Sequence, residues 1–515
     1  MSNKDIEEIG TVVSTPDGPS PSALDFVVYS GTLHRGMFVE LDYKEGTLVA
    51  LVTDVIKTNR YFERVESVKE FERSGNKLFE QFPASEWEFL LAKTRPLGVY
   101  KDGLIKRSTF PPSPGTKVKI AKNKTLEIFL GLDLEKGLML GEIEHHGVHV
   151  KLNLSRLFQK HLAILAMSGA GKSYLTSVLF EELLNRKKED GRLAIIVMDP
   201  HGEYRNFAEP VKDSSCKDFS SKTRFVKASE ISIGVPKLSI GMLSTIIPGL
   251  SIAQRRDLER LLNKLKREMR DGLGPFDFGA VKSEILKDEA TKESTKQALF
   301  GWILSLEQLK LFGKTDNPSI NDLVKSGQLT IVDLSDVVNM KKKQIIVAYF
   351  ASKLFYERRQ KRVCPFTMVL EEAHQFAPQQ IAKEGSISKG IIETIAREGR
   401  KFGASICLIS QRPINLSTTA LSQCNTHIIL RVSNPYDIDH IGKSSEGLDK
   451  RSLDMITSLR TGEALIVGEA TNYPLFFKVR KRTSQKSIHE VSLEVSAVDY
   501  EEIKDASEKD IEDLL

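Results

Sequence analysis

The run A-M-S-G-A-G-K-S over residues 166–173 sets two glycines directly before a lysine and a serine. Gly169 and Gly171 let the main chain curl so that successive N–H groups point inward, toward phosphate oxygens. Lys172 can then reach the terminal phosphates, and the Ser173 hydroxyl can ligate Mg²⁺. ATP and Mg²⁺ are therefore the expected cofactors, in a cradle formed by Ser168, Gly169, Ala170, Gly171, Lys172, Ser173 and Tyr174. The usual pattern starts on glycine, and Ala166 holds that place here. Alanine fits if its φ stays negative, because it adds only the smallest side chain. A flexible turn that contains Gly-Lys-Ser by chance is the competing reading. Against it, the apolar run HLAILAM precedes the loop, and a helix with Leu175, Val178, Leu179 and Leu183 on one face follows it.

A second stretch turns phosphate binding into hydrolysis. FTMVLEEAHQ ends an apolar strand on Glu371 and Glu372. The first carboxylate at such a strand end organises Mg²⁺, commonly through water, and the second polarises the attacking water. Two solvated acids at the start of a loop are the alternative, weakened by the apolar residues directly before them. Gln411 ends the run ASICLIS, where a polar side chain can touch both the γ-phosphate and the water, or simply form a turn. Asp199 ends IIVMD and either joins the nucleotide's polar network or caps a turn. An arginine on the γ-phosphate is worth roughly 10³–10⁵ in rate. KGIIETIAREGRKFGAS reads as a helix closed at Gly403, with Arg397 and Arg400 on one face. One of them projects into a neighbouring protomer's site, or each pairs with Glu393 or Glu398. Arg431, at the end of another strand, is a third candidate.

These residues need a scaffold, and the chain has texture enough to supply one. Its 515 residues allow two or three domains. Up to about residue 150, GMFVELDYKEG, LVALVTDVI, KVKIA, LEIFLGL and GVHVKLNL read as short strands between polar turns. Helical segments near 65–80 and 84–92 interrupt them, and the whole suggests a small β-barrel. From 151 to about 485, RLAIIVMD, LTIVDLS, FTMVLEE, ASICLIS and THIILRV are continuous apolar runs, as strands buried on both faces of a parallel α/β sheet are. A mostly helical insertion spans about 236–318, with Leu258, Leu261, Leu262, Leu265 and Met269 as one apolar stripe. The end, 486–515, is acidic: from 499 onward it carries eight acids and two lysines. It reads as a surface helix or as a brace onto a neighbouring subunit.

Composition narrows the classes. The net charge of +5, from 74 basic and 69 acidic side chains, neither requires nor excludes a polyanionic partner. Cys216, Cys364, Cys407 and Cys424 lie far apart, without a C-x-x-C pair, and read as reduced thiols. No signal segment or membrane-length apolar run is evident, so a cytoplasmic location without membrane is expected.

Taken in order, the β-rich beginning, HLAILAMSGAGKS, DPHGEY, VLEEAH, REGRKFG, ISQRP and ILRV resemble the HerA-type hexameric DNA translocases of the FtsK–HerA group over nearly the whole chain. The resemblance implies an α/β fold with a RecA-like P-loop ATPase core, a mostly parallel sheet, an N-terminal small β-barrel and a helical insertion. It implies a homo-hexamer that moves double-stranded DNA, partnered by a NurA-type nuclease in end resection for recombinational repair. By motif match it gives nucleotide roles to Lys172, Ser173, Glu372, Gln411 and either Arg397 or Arg400. Ala166 and Glu371 depart from the family's usual glycine and frequent aspartate. DNA contact is assigned to the loop APQQIAKEGSISKG, where Lys383 and Lys389 could meet phosphates. Solvated lysines are the plainer explanation. A secretion-type ring ATPase and a nucleotide-gated scaffold are the competing functions.

Overall fold

The structure is a computed structural model. It describes residues 8–59, 88–380 and 386–486, apart from 17, 30–31, 212–213, 446 and 449, and adds 68, 69, 73, 494, 495, 497, 498, 500 and 501. Lys383 and nearly all of the acidic end lie outside the described residues, as does most of the expected 65–80 helix. The chain divides into two compact units.

The first unit takes residues 1–172, 411–414 and 424–480. Its β1 (Glu8–Val12), β2 (Leu24–Val28), β3 (Phe38–Tyr43), β4 (Gly46–Asn59), β5 (Glu88–Lys101) and β7 (Lys117–Ile120) pair in the order β2-β1-β7-β3-β4-β5. A further antiparallel pairing of β2 with β5 closes this sheet into a six-stranded barrel, and β6 (Leu104–Lys106) extends β5 as a hairpin. Closure leaves no open edge between β2 and β5. Leu24, Phe26, Val39, Leu48, Val52 and Val118 fill the interior.

Two expectations fail in this region. Residues 88–92 belong to strand β5 rather than to a helix. LEIFLGL is not a strand but most of the helix Asn123–Leu130. Leu126, Phe129 and Leu130 are its buried residues, spaced i, i+3, i+4, and Gly131 ends it with φ 71°.

Six more strands complete this unit: β8 (Leu138–Ile143), β9 (His149–Leu152), β10 (Leu162–Leu165), β18 (Thr426–Ile429), β19 (Glu463–Gly468) and β20 (Leu475–Val479). β10 and β18 run parallel, while β18–β19, β19–β20, β20–β8 and β8–β9 are antiparallel.

The second unit, 173–410, 415–423 and 481–515, is built on five parallel strands. β11 (Ala194–Asp199), β12 (Thr223–Lys227), β15 (Leu329–Asp333), β16 (Phe366–Leu370) and β17 (Ala404–Ser410) pair in the order β12-β15-β11-β16-β17. Every residue of β11, β15, β16 and β17 is buried, which is why their sequences run apolar without alternation. β12, which the apolar runs do not reveal, is the half-exposed edge. The two-residue pair β13 (Ile233–Gly234) and β14 (Phe312–Gly313) brackets the insertion. Within the insertion, helices Ile240–Ile246, Ile252–Glu268, Phe278–Lys287 and Glu293–Glu307 pack together. The helix Ile252–Glu268 opens on a Ser251–Gln254 capping box and buries Leu258, Leu261, Leu262 and Leu265, whereas Met269 caps its end half-buried. Among the described residues no helix is long and apolar enough to cross a membrane.

Candidate nucleotide-binding site

β10 is fully buried and delivers the chain to the loop at Ala166, which is itself buried and keeps out of positive φ. The alanine is accommodated as its size allows. Gly169 has φ +75° and Gly171 φ +100°. A Cβ on Gly169 would meet nothing within 4 Å, and one on Gly171 nothing nearer than 3.6 Å, so backbone conformation rather than space demands both glycines. The Met167 N–H donates to the Arg431 carbonyl at 2.9 Å, and the Gly462 N–H reaches the Ala170 carbonyl at 3.4 Å. Arg431 thus stands beside the loop, and its buried Nε has no hydrogen-bond partner among the described residues. Ser168 and Gly169 are exposed, Ala170 is buried, and the Lys172 side chain is 5 % exposed.

Lys172 opens the helix Lys172–Asn185. Its one-face expectation is too narrow: Leu175, Val178, Leu179 and Leu183 are buried, and so are Thr176, Ser177, Phe180, Glu181 and Leu184. The Tyr174 hydroxyl accepts the Arg482 N–H at 2.8 Å, with the guanidinium 6.0 Å from the ring centre. Buried Glu181 accepts the Thr483 and Ser484 N–H groups at 2.8 and 2.7 Å. The segment after β20 is therefore fastened along this helix.

In the second unit, parallel register brings Asp199 opposite Asp333 and Met198 opposite Leu370, so the acids that follow gather at one strand-end edge. Asp199 takes the turn role. Its Oδ1 accepts the His201 and Gly202 N–H groups at 3.2 and 2.9 Å, and its Oδ2 accepts that of Tyr204 at 3.1 Å. Burial pushes its carboxyl up to about 6, against the pull of these donors. Lys343 balances the charge nearby, donating to the Pro200 carbonyl at 3.3 Å, and burial lowers its own pKa. The ordered turn brings up a residue that sequence reasoning missed: Glu203, whose Oε2 accepts the hydroxyl of Ser173.

Glu371 is fully buried, and its Oε2 accepts the Tyr204 hydroxyl at 3.0 Å. Glu372, 3 % exposed, holds a left-handed backbone at φ 49°, ψ 48°. That conformation costs a non-glycine residue about 1 kcal/mol or more, and such outliers gather at working sites. Its Oε2 lies 3.3 Å from His374 Nδ1, which is 3.1 Å from Ser410 Oγ. His374 is a second residue that sequence reasoning missed, although it stands in the quoted VLEEAHQ. Gln411 follows Ser410 at the end of β17 and is half-buried.

The arginines are placed differently from each other. The helix Lys389–Glu398 continues through a 3₁₀ turn to Gly403 at φ +67°. Arg397 is exposed and 4.0 Å from Glu393 Oε2, a weak pair at that distance, while Glu393 Oε1 accepts the Ser417 hydroxyl at 2.7 Å. Arg400 is exposed, and its side chain has no ion-pair partner among the described residues. Lys389 donates to the Gln379 carbonyl at 3.4 Å and so ties the ends of its loop.

Residues 138–354 match the family model described as the central domain of helicase HerA. A probable helicase of Methanocaldococcus jannaschii is 30% identical over 476 residues, covering 87% of this chain and 86% of the relative. The chain belongs to the HerA helicase family. The DNA double-strand break repair helicases HerA of Pyrococcus furiosus and Sulfolobus acidocaldarius are 27% and 26% identical, covering 87% and 93% of this chain and 88% and 94% of the relatives. Among solved structures, VirB4 of Thermoanaerobacter pseudethanolicus aligns with TM-score 0.52 at 16% identity, covering 68% of this chain and 98% of that one. That likeness bears on fold, the P-loop ATPase fold expected for a HerA-family chain.

Proposed function

We propose that the chain is an ATP-driven, hexameric translocase or helicase of double-stranded DNA that works with a NurA-type nuclease in end resection for repair. The observation that carries the hydrolytic part is Glu372, held buried in left-handed backbone directly after β16, beside His374. Family membership and the relatives named for double-strand break repair support the DNA part.

In this reading the loop N–H groups and Lys172 hold the triphosphate, and Arg431, whose carbonyl pairs with the loop and whose buried Nε has no hydrogen-bond partner among the described residues, adds a further donor. The donor chemistry at Ser173 fits Mg²⁺: a hydroxyl and the Glu203 carboxylate are hard oxygen groups. Among the described residues no cluster of three or more His, Cys, Asp or Glu side chains could hold a metal alone. This suits an ion that keeps water and substrate phosphates as ligands. When bound, it would neutralise charge on the phosphates. Glu372 takes the proton of the attacking water, His374 orients its carboxylate, and Gln411 positions the water. Arg397 or Arg400 supplies charge to a neighbouring protomer's phosphate. Lys389 and Lys383 are the proposed DNA contacts.

The test is ATP turnover with and without linear duplex DNA at low salt, alongside sizing of the assembly. Stimulation by duplex in a six-membered ring supports the proposal. Equal turnover with and without DNA would favour a secretion-type ring or a nucleotide-gated scaffold instead.

A further inference from the structure

The residue that sequence pattern assigns to the metal, Glu371, is engaged elsewhere. It is fully buried, and Tyr204 donates to its Oε2 at 3.0 Å. Thr176, one turn into the phosphate-loop helix, hydrogen-bonds the same tyrosine hydroxyl. Through its Oε2, Glu371 thereby closes a buried chain, Thr176–Tyr204–Glu371. The carboxylate that does reach Ser173 comes from the other strand end. Asp199 fixes the turn 200–204 through three backbone N–H groups. Gly202, at φ +75°, brings the backbone so close to Ser335 that a Cβ would sit 3.3 Å from its hydroxyl. Glu203 leaves that turn partly exposed and accepts the Ser173 hydroxyl.

We propose that Glu203, not Glu371, is the positioning residue for the metal-binding hydroxyl of Ser173; this rests on the nucleotide reading above. A serine hydroxyl has one proton to give and two lone pairs to offer. Donating the proton to Glu203 fixes the rotamer and turns the lone pairs outward, where a divalent cation meets them. It also makes the oxygen a better ligand, as hydrogen-bonded outer partners do for metal ligands generally. The negative charge of Glu203 adds attraction for the cation. Glu203 acts through Ser173 and makes no claim on the phosphates, which the loop amides and Lys172 hold.

The two jobs separate in a binding measurement without turnover. Calorimetric titration of ADP into the full chain is run in EDTA and over a series of Mg²⁺ concentrations, for the unaltered protein and for E203A, E203Q, E371Q and K172A. The proposal expects the Mg²⁺ midpoint of E203A to rise roughly 10–100-fold, with affinity in EDTA unchanged. E203Q, which keeps an acceptor oxygen but loses the charge, should fall between. E371Q should keep the original midpoint. An unchanged midpoint in both Glu203 variants, or an equal rise in E371Q, overturns the proposal while leaving the nucleotide reading intact. A weakened affinity in EDTA for both Glu203 variants overturns it as well, since the residue would then act on the loop as a whole. Absence of ADP binding in the unaltered protein brings down the nucleotide reading and this inference together, whereas binding that only K172A abolishes upholds the former.

Discussion

Replacing Tyr204 with phenylalanine removes one oxygen from the middle of a buried chain. Tyr204 is fully buried, its ring stacks edge-on to Phe180 at 5.2 Å, and its hydroxyl donates to Glu371 Oε2 at 3.0 Å and also hydrogen-bonds Thr176. The ring stays, so no cavity larger than the lost hydroxyl forms, and the cost comes from hydrogen bonding. Leaving the fully buried Glu371 oxygen and the Thr176 hydroxyl each short of one partner costs about 2–4 kcal/mol together. Tyr204→Phe should therefore destabilise the chain by about 2–4 kcal/mol, with the urea midpoint lowered and the slope of the transition kept. The double-mutant cycle with Glu371→Gln isolates the pair, and its coupling should be at least about 1 kcal/mol. A Tyr204→Phe loss under ~0.5 kcal/mol with no coupling to Glu371 would refute the reasoning, and with it the claim that Glu371 is committed to Tyr204.

Other perturbations follow the same geometry. Glu372→Gln should lower ATP turnover by about 10²–10⁴-fold while nucleotide affinity is kept; a parallel loss of affinity in calorimetry would remove Glu372 from the role of base. Gly171→Ala forces alanine to φ +100°, at about 1–3 kcal/mol, so nucleotide affinity should fall about tenfold or more; unchanged affinity would mean the loop rearranges on binding. Mixtures of Arg397→Ala or Arg400→Ala subunits with Lys172→Ala subunits should regain activity for whichever arginine acts across an interface, and no regain for either would rule out action in trans. His146 accepts the Phe38 N–H on Nε2 at 2.9 Å, and burial, with His145 nearby, lowers its pKa to about 4. The folded pKa lies below the unfolded one, so stability present above about pH 6.5 is lost as pH falls toward 4, by up to about 3 kcal/mol; His146→Gln should flatten that dependence in unfolding midpoints taken across the window.

Four of the second unit's five strands, β11, β15, β16 and β17, were legible because both faces of each are buried, leaving few polar positions to interrupt runs such as RLAIIVMD or ASICLIS. The turn at 169–171 was legible because its two glycines take positive φ, which few other residues adopt. LEIFLGL misled because a short apolar run fits either period, and only the spacing of Leu126, Phe129 and Leu130 with Gly131 after them distinguishes a helix. β12 hid because TRFVK sits at an edge, half-exposed. Glu203 stands in the quoted DPHGEY, but nothing in that run says that its carboxylate meets Ser173. Its place follows from the Asp199 turn and from the packing of a helix begun thirty residues earlier, facts of tertiary structure that no window of sequence contains. His374 could have been found, since a histidine two residues after a strand-end acid shares its turn.

Every catalytic role proposed for this chain depends on its loop holding triphosphate through Lys172. Equilibrium binding of ATP with Mg²⁺, measured without turnover on the full chain and on Lys172→Ala, tests this most directly. Saturable binding by the unaltered chain, lost in the variant although it remains folded, is the predicted result. Equal binding by both, or none by the unaltered chain, would contradict it.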